Sequence, residues 1–306
     1  MRIKNTIVGV VVAGITFTAL TGCAQSQSPS TEITNADAIT VNGNDVLTSK
    51  RIIALANGSA EIISALGYKE NLIGRDIAST DSDLSSVPIV TSGHLIIAEK
   101  IIALNPDLLL IDKATGPAAA LDTVRNANIL IKEIPDAWKL SDIPVKVTSI
   151  ADAIGAPNAG KNFNLEFNSA TTEFRKIDKK IGVVFLYLRG GSAIYLVGGK
   201  GSGADSLITA VGAVDLGADR LPNPFNPISA ELMASLNPDV ILVMTKGLKS
   251  VGGINGVSNL PGVAQTIAGR SKRILSVDDS LLLSFGPRTP DLLKRLSVAF
   301  SQVSAK

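Results

Sequence analysis

The sequence has 306 residues, of which 45% are hydrophobic and 18% are charged. This composition is typical of a folded globular protein and excludes a disordered chain. The formal net charge at pH 7 is only +2, and loss of residues 1–22 would remove two of the 29 basic residues and none of the 27 acidic ones. A neutral mature chain argues against nucleic acid as a partner and against a purely electrostatic contact with membranes.

The first 22 residues have the layout of a secretory signal. Arg2 and Lys4 precede an apolar run over 7–20, which is too short and too rich in small residues for a transmembrane helix. The run leads into LTGC, whose last residue, Cys23, is the only cysteine of the chain. This sequence resembles the lipobox of bacterial lipoproteins, which implies that residues 1–22 are removed and that Cys23 is acylated. No disulfide can form within one chain, so the fold is expected to depend on its own core.

The segment that follows Cys23 is predicted to be a flexible tether. Residues 23–49 are rich in Ser, Thr, Asn and Asp and contain few apolar residues. Such a composition cannot bury enough apolar surface to offset the entropy of ordering the chain. We therefore expect this segment to be a flexible spacer between the lipid anchor and the folded domain.

One helix-turn-strand unit occurs twice in the sequence. Residues 98–107 read AEKIIALNPD and residues 230–239 read AELMASLNPD, and an apolar strand follows each copy. Each copy predicts an amphipathic helix that ends at the Asn before Pro, because a residue that precedes proline is disfavoured in the helical region. The repeat predicts two similar lobes.

Strand and helix patterns alternate along the chain, which predicts an α/β protein with mainly parallel sheets. In the first half, strands are predicted at 51–56, 71–76, 89–91, 108–112 and 129–134, and helices at 60–66, 98–104, 117–126 and 141–154. In the second half, strands are predicted at 181–188, 193–198, 240–244 and 273–278, and helices at 204–211, 229–236 and 289–300. A longer amphipathic helix over 157–180 has no strand partner and is expected to link an N-terminal lobe (50–156) to a C-terminal lobe (181–306).

The order of these features resembles a known family. A lipobox, a tether, the strand RIIAL, the helix start GSAEI and two LNPD lobes on either side of a linking helix are similar to the substrate-binding lipoproteins of ABC importers for iron complexes, haem and cobalamin. Within that class, YLRG at 187–190, VMTKGL at 243–248 and FGPRTP at 285–290 resemble the haem-binding branch. A carrier of a ferric siderophore or of cobalamin is the alternative.

The resemblance implies two rigidly joined α/β lobes, a ligand in the cleft between them, and docking onto an ABC permease with its ATPase. The protein would act outside the cytoplasm, anchored to the cell membrane through Cys23, and its cargo would be ferric haem. The rule that open α/β sheets bind ligands beyond the carboxyl ends of their strands gives the same cleft independently.

Two side chains are candidate ligands of haem iron. His94, the only histidine, occupies a position where the resembled family carries tyrosine or histidine, and neutral imidazole is an ordinary haem ligand. Tyr187 and Arg189 lie two residues apart on a predicted strand, so both side chains lie on one face. Ferric iron stabilises a phenolate, and a neighbouring guanidinium stabilises the same anion. Tyr195 is a weaker alternative, and Tyr187 could instead pack on a helix.

The two carboxylates of haem need hydrogen-bond donors. The candidates are backbone amides at two predicted helix starts and two arginine side chains: Asn57, Gly58, Ser59, the run 201–203, Arg75 and Arg288. Each arginine could instead be a solvated surface charge. The glycine-rich run 198–203 lacks the spacing of a phosphate-binding loop.

Glu61 and Glu231 lie on predicted helices at corresponding levels of the two lobes. In the resembled family a glutamate on each lobe pairs with permease arginines, so both residues are expected to steer docking. With one histidine and one cysteine, the chain offers no Ser-His-Asp or Cys-His set and no metal-cluster spacing. The sequence therefore predicts a binding protein and not an enzyme.

Overall fold

The computed structural model describes residues 31–93 and 95–304, so Cys23 and His94 lie outside the described residues. The described chain contains two sheets, each covered by helices, and a two-stranded hairpin. We call the four-stranded sheet with its helices the N-lobe and the seven-stranded sheet with its helices the C-lobe. The predicted α/β class with two lobes is confirmed.

The first element of the described residues is β1 (Glu32–Ile33), which belongs to the C-lobe sheet. The N-lobe strands are β2 (Ile52–Ala54), β3 (Leu72–Arg75), β6 (Leu108–Ile111) and β7 (Leu130–Glu133), and β4 (Thr91–Ser92) with β5 (Leu95–Ile96) forms the hairpin. The helices of this half are α1 (Ser59–Ala65), α2 (Ala98–Ala103), α3 (Ala118–Asn126), α4 (Ile143–Ile154) and α5 (Pro157–Ala170). The sheet order is β3-β2-β6-β7, with every pair parallel.

The remaining strands are β8 (Gly182–Arg189), β9 (Ile194–Gly198), β10 (Val214–Asp215), β11 (Phe225–Pro227), β12 (Val240–Met244) and β13 (Ile274–Val277). The helices are α6 (Ala204–Ala210), α7 (Ala230–Leu236), α8 (Thr245–Ser250), α9 (Gly253–Ser258), α10 (Ile267–Arg270), α11 (Asp279–Leu283) and α12 (Thr289–Ser304). The sheet order is β1-β13-β12-β8-β9-β11, with β10 beside β8. Only the pairs that involve β9 are antiparallel. None of the described helices is long and apolar enough to cross a membrane.

The repeated unit has the same structural role in both lobes. Asn105 and Asn237 both adopt a left-handed conformation, with φ of 47° and 39°, and each ends its helix where the sequence predicts. Asp107 Oδ2 then accepts hydrogen bonds from two backbone N–H groups just before β2, at 2.9 and 3.1 Å. Asp239 Oδ2 accepts from the N–H of Gly182, the first residue of β8, at 2.8 Å. Each copy therefore fixes the start of the neighbouring strand.

The largest hydrophobic core cluster is shared by both lobes. Leu110 of β6 and Leu242 of β12 belong to the same buried cluster, together with Phe163 and Phe167 of α5. The alternate residues of these strands pack on the outer faces of the sheets, in two separate clusters, as the period of two of a strand requires. The lobes are thus joined by packing as well as by the connecting chain.

The predicted linking helix over 157–180 is wrong at its C-terminal end. The helix α5 ends at Ala170, and the hydroxyl of Thr171 donates to the carbonyl of Phe167 at 2.9 Å. Such local side-chain bonds compete with continuation of the helix. Phe174 and Ile177 still pack against the shared core, so their apolar spacing reflects burial of a non-helical segment.

The expectation of a flexible tether is wrong for its second half. The strand β1 pairs in parallel with β13, and Ile33 is buried. The N–H of Ile39 donates to Pro287 O at 3.0 Å, and the N–H of Val41 donates to Ala65 O at 2.8 Å. Residues 31–49 therefore form a strap that passes from the C-lobe to the N-lobe, because their backbone groups find partners on both.

Candidate functional site

Two adjoining cavities lie where the carboxyl ends of the strands of both sheets meet. The inter-lobe cavity, of about 630 Å³, is lined by residues of both lobes. The N-lobe cavity, of about 470 Å³, is lined by N-lobe residues. The two share Asn57, Ala78 and Trp138, so they are parts of one cleft. Their size and position are those of a small-molecule site in an α/β protein.

The wall of the inter-lobe cavity is mainly apolar and aromatic. Its large apolar and aromatic side chains are Ile77, Trp138, Tyr187, Leu196, Phe225, Met244 and Leu283. The rings of Tyr187 and Phe225 meet edge to face, with centroids 5.5 Å apart. Trp138 reaches across to the C-lobe, where a Cβ on Gly203 would lie 3.2 Å from its ring. This wall suits a flat ligand with a large apolar surface.

Tyr187 and Arg189 lie side by side, as their spacing predicts. The Cζ atom of Arg189 lies 4.6 Å from the centroid of the Tyr187 ring, within the range of a cation–π contact. The guanidinium also donates to Leu188 O at 2.9 Å and to Asp279 Oδ2 at 3.2 Å. Tyr187 is half-buried, and no described residue forms a hydrogen bond to its hydroxyl. The role of Tyr187 as an iron ligand, supported by Arg189, stays a prediction.

The candidate ligand His94 lies outside the described residues, and its role also stays a prediction. The strands on either side of it, β4 and β5, pair antiparallel with Ser92 opposite Leu95. Thr91 and Gly93, on the N-terminal side of the histidine, line the N-lobe cavity. The strand predicted over 89–91 begins two residues later and ends one residue later, as β4.

Arg288 and Glu61 are buried and bound to each other, which corrects two predictions. Arg288 Nη2 donates to Glu61 Oε1 at 2.6 Å, and Arg288 Nε lies 3.2 Å from Asp81 Oδ2. The side chains are only 5% and 2% exposed. Burial raises the pKa of Glu61, and the charge of Arg288 opposes that shift. Arg288 is therefore not free to bind a ligand carboxylate, and Glu61 is not on a surface that a permease can contact.

Arg75 is likewise not a free anion donor. Its side chain is buried and donates to three backbone carbonyls, of Leu84 at 3.0 Å, Ser79 at 2.8 Å and Asp76 at 3.2 Å. These bonds hold the chain that follows β3. The alternative of a solvated surface charge is also wrong for both arginines, because each side chain is enclosed by the protein.

Most of the backbone amides predicted to bind carboxylates already have partners. The N–H of Asn57 donates to Asp112 Oδ2 at 2.9 Å, and the N–H of Ser59 donates to Ala56 O at 2.9 Å. The N–H groups of Gly201 and Gly203 donate to the carboxylate of Asp205, at 2.8 and 3.0 Å. Gly58 lines the inter-lobe cavity between Asn57 and Ser59. The two helix starts therefore offer a ligand carboxylate fewer free backbone N–H groups than predicted.

The sequence reasoning missed the lysines that line the cleft, among them Lys146 and Lys246. Lys246 is exposed in the first turn of α8 and lines the inter-lobe cavity. Lys146 is buried and lines the N-lobe cavity, and its Nζ donates to Ser284 O at 2.8 Å. Burial lowers the pKa of Lys146 to about 8, although nearby carboxylates oppose the shift. Helical periodicity could have predicted that Lys146 is buried, because it lies three residues after the buried Ile143 and four before the buried Ile150.

Within residues 31–93 and 95–304, no group of three or more histidine, cysteine, aspartate or glutamate side chains is arranged to hold a metal ion. The cleft carries the hydroxyl of Tyr187, an aromatic and apolar wall, and charged side chains.

Comparison with known proteins gives relatives over most of the chain. A family model described as a periplasmic binding protein matches residues 52–281. YvrC of Bacillus subtilis, an uncharacterized ABC transporter substrate-binding lipoprotein, is 25% identical over 257 residues, which are 81% of this chain and 79% of YvrC. A vitamin B12-binding protein of Pectobacterium atrosepticum is 24% identical over 200 residues, 63% of this chain and 71% of that protein.

Several solved structures have the same fold. The periplasmic heme-binding protein RhuT from Roseiflexus sp. RS-1 is 35% identical with a TM-score of 0.77, covering 84% of this chain and 99% of RhuT. An arginine-to-alanine variant of the heme binding protein HmuT is 30% identical with a TM-score of 0.79, covering 90% of this chain and 94% of HmuT. Other HmuT structures carry alanine in place of a histidine, or in place of a tyrosine two residues before that arginine.

Proposed function

This chain belongs to the periplasmic binding protein family, and from that premise we propose that its cleft captures ferric haem for delivery to an ABC permease. It is a substrate-binding protein of an ABC importer and not an enzyme, like the family and the neighbours it matches.

The observation that carries the proposal is the environment of Tyr187. Its hydroxyl has no hydrogen-bond partner among the described residues, although the side chain is half-buried in the wall of a cavity of about 630 Å³. The guanidinium of Arg189 lies 4.6 Å from the ring. A phenolate that binds ferric iron carries negative charge, and a fixed positive charge over the ring stabilises it. The aromatic wall would hold the porphyrin plane.

The solved relatives support this assignment. HmuT, a heme binding protein that is 30% identical to this chain, has been altered at a histidine, at a tyrosine and at an arginine two residues after that tyrosine. The same tyrosine-to-arginine spacing occurs here at Tyr187 and Arg189, and His94 is the only histidine of this chain. His94 and Tyr187 would bind the iron from opposite faces and join the lobes through it.

Cobalamin is the second candidate, because several curated relatives are named vitamin B12-binding proteins. The two ligands differ in the groups at the edge of the macrocycle, since haem carries two carboxylates whereas cobalamin carries amides. The expected role of Tyr187 also differs, because a cobalamin carrier needs no phenolate.

The test is a titration of purified protein with ferric haem and, separately, with cyanocobalamin. The absorption spectrum reports ligation of haem iron, and fluorescence of Trp138, the only tryptophan, reports occupancy of either cavity. We expect saturable haem binding with a spectrum that Tyr187→Phe alters and Tyr195→Phe does not. Tight binding of cyanocobalamin without binding of haem would overturn the proposal.

We propose that Glu99 and Glu231 contact the permease, because Glu61, which the resemblance paired with Glu231, is buried and bound to Arg288. The two residues occupy the same position of the repeated unit, and both are exposed in the first turns of α2 and α7. Each helix runs back to the amino end of the strand that follows, so its first turn lies toward the cleft side of its lobe. Two carboxylates at matched positions would steer approach to a basic permease surface.

Anchoring to the membrane through an acylated Cys23 is part of the proposal as well. The sequence LTGC motivates it, and YvrC is named a lipoprotein. Cys23 lies outside the described residues. The first described strand, β1, belongs to the C-lobe, so an anchor would hold the protein from that lobe.

A further inference from the structure

The C-lobe wall of the inter-lobe cavity carries the ammonium group of a lysine. Lys246 lines this cavity, and none of the described residues provides an acceptor within hydrogen-bonding distance of its Nζ. Its backbone N–H is bound, because it donates to Asp279 Oδ1 at 2.9 Å. The start of α8 is therefore fixed, and the side chain extends from a fixed point.

Asp279 joins Lys246 to Arg189 without neutralising both. One carboxylate oxygen accepts from the Lys246 backbone, and the other accepts from Arg189 Nη2 at 3.2 Å. Of the two cationic side chains, only that of Arg189 is paired with this carboxylate, so this side of the cavity keeps a net positive charge. Glu61, the other carboxylate on the cavity wall, is bound to Arg288.

The N-lobe cavity has the opposite character. Its charged side chains are three carboxylates and two ammonium groups: Asp76, Asp112, Asp136, Lys113 and Lys146. One of the two ammonium groups, that of Lys146, is already bound to the carbonyl of Ser284. A ligand carboxylate is therefore repelled from this half of the cleft and attracted to the other.

We propose that Lys246, together with Arg189, forms a carboxylate-binding subsite that fixes the orientation of the ligand and selects porphyrins that carry free carboxylates. The apolar part of the macrocycle lies against Leu196 and Phe225, and its carboxylate edge faces α8. This inference rests on the proposed function, because it names the group by which the same cleft recognises haem. It also excludes a neutral amide-bearing macrocycle as the preferred cargo.

The test compares ferric haem with ferric haem whose two carboxylates are converted to amides. Lys246→Gln removes the ammonium group, and Lys249→Gln is the matched control, because Lys249 is exposed on the same six-residue helix and does not line either cavity. We expect Lys246→Gln to weaken binding of haem about tenfold, which is the effect of one charge-assisted hydrogen bond, and to leave binding of the diamide unchanged. Lys246→Arg should restore the preference for haem.

Two results would overturn the subsite while the proposed function stands. One is an equal effect of Lys246→Gln on haem and on the diamide, and the other is no effect on either, with a haem spectrum that still depends on Tyr187. Native protein that binds cyanocobalamin but neither porphyrin would overturn the proposed function and the subsite together. Circular dichroism of each variant shows whether the fold is retained.

Discussion

Arg288 and Glu61 form a buried ion pair that joins the C-lobe to the N-lobe, with Arg288 Nη2 2.6 Å from Glu61 Oε1. Two further bonds reach the same C-lobe segment, from Lys146 Nζ to Ser284 O and from Asn57 Nδ2 to Leu283 O, both at 2.8 Å. The N-lobe therefore holds residues 283–288 at several points. Together with the continuous core, this junction sets the distance between the walls of the cleft before any ligand binds.

The first prediction concerns the stability of this junction. Arg288→Met should lower the free energy of unfolding by about 3–5 kcal/mol, because it leaves the Glu61 carboxylate buried without its partner. Urea denaturation measures the change. Arg125→Met, which breaks the exposed pair with Asp122, is the control and should have little effect.

A second variant shows whether the loss comes from an unpaired charge. Adding Glu61→Leu to Arg288→Met removes the buried carboxylate, so part of the stability should return. Equal small losses in Arg288→Met and Arg125→Met would contradict the assignment of a buried ionic junction.

The second prediction concerns Lys146 and pH. Below its folded-state pKa of about 8, the folded and unfolded chains both carry the proton, and burial of the charge is fully unfavourable. Between about 8 and the ordinary value of 10.5, the folded protein releases the proton first, so the free energy of unfolding rises with pH. From pH 7 to pH 9.5 the gain should be about 2 kcal/mol.

Other groups titrate in the same range, so the quantity to measure is a difference. The free energy of unfolding of the native protein minus that of Lys146→Met, obtained by urea denaturation at each pH, should increase over this interval. A difference that stays constant would mean that Lys146 keeps its proton in the folded protein, contrary to the effect expected from its burial.

The third prediction concerns iron ligation. Tyr187→Ala should abolish the phenolate-to-iron charge-transfer band of the haem-loaded protein, whereas His94→Ala should change the spin state and leave that band. Tyr195→Phe is the control, because Tyr195 packs with the outer core cluster of the C-lobe. Absorption and electron paramagnetic resonance spectra measure these changes. A haem spectrum that neither the Tyr187 nor the His94 substitution alters would exclude both residues as iron ligands.

The fourth prediction concerns docking. Alanine at both Glu99 and Glu231 should leave haem affinity intact and reduce haem-dependent growth of cells that express the importer. Alanine at both Glu70 and Glu166, which are also exposed but do not occupy the repeated position, should leave growth unchanged. Normal uptake in the Glu99 and Glu231 double variant would exclude these residues from the permease contact.

The fifth prediction concerns the anchor. Cys23→Ser should release the protein from membranes into the soluble fraction, because stable attachment through lipid needs the acyl chains. Fractionation and immunoblotting measure the distribution. Membrane association at the native level in the variant would contradict the lipobox interpretation.

Local patterns in the sequence were sufficient for the architecture. The alternation of strands and helices, and the helix ends at Asn105 and Asn237, depend on backbone preferences within a few residues, and the structure confirms them. The proximity of Tyr187 and Arg189 could also be predicted locally, because the pleat of one strand places the two side chains on one face. Apolar periodicity gave a wrong prediction beyond the end of α5, where the apolar residues that pack on the core belong to a segment that is not helical.

The partners of charged side chains were decided only by the tertiary structure. Glu61, Arg75 and Arg288 look like surface residues in the sequence, because charged groups are rarely buried unless they are paired. Glu61 and Arg288 are 227 residues apart in the chain, where no local pattern reaches. Arg75 is instead enclosed by the segment after β3, whose backbone carbonyls accept its hydrogen bonds. The same long-range packing leaves the ammonium group of Lys246 at the cavity without a partner among residues 31–93 and 95–304. The sequence was sufficient for the fold and for the resemblance to a family of binding proteins, whereas three-dimensional pairing decided which charges remain free to meet a ligand.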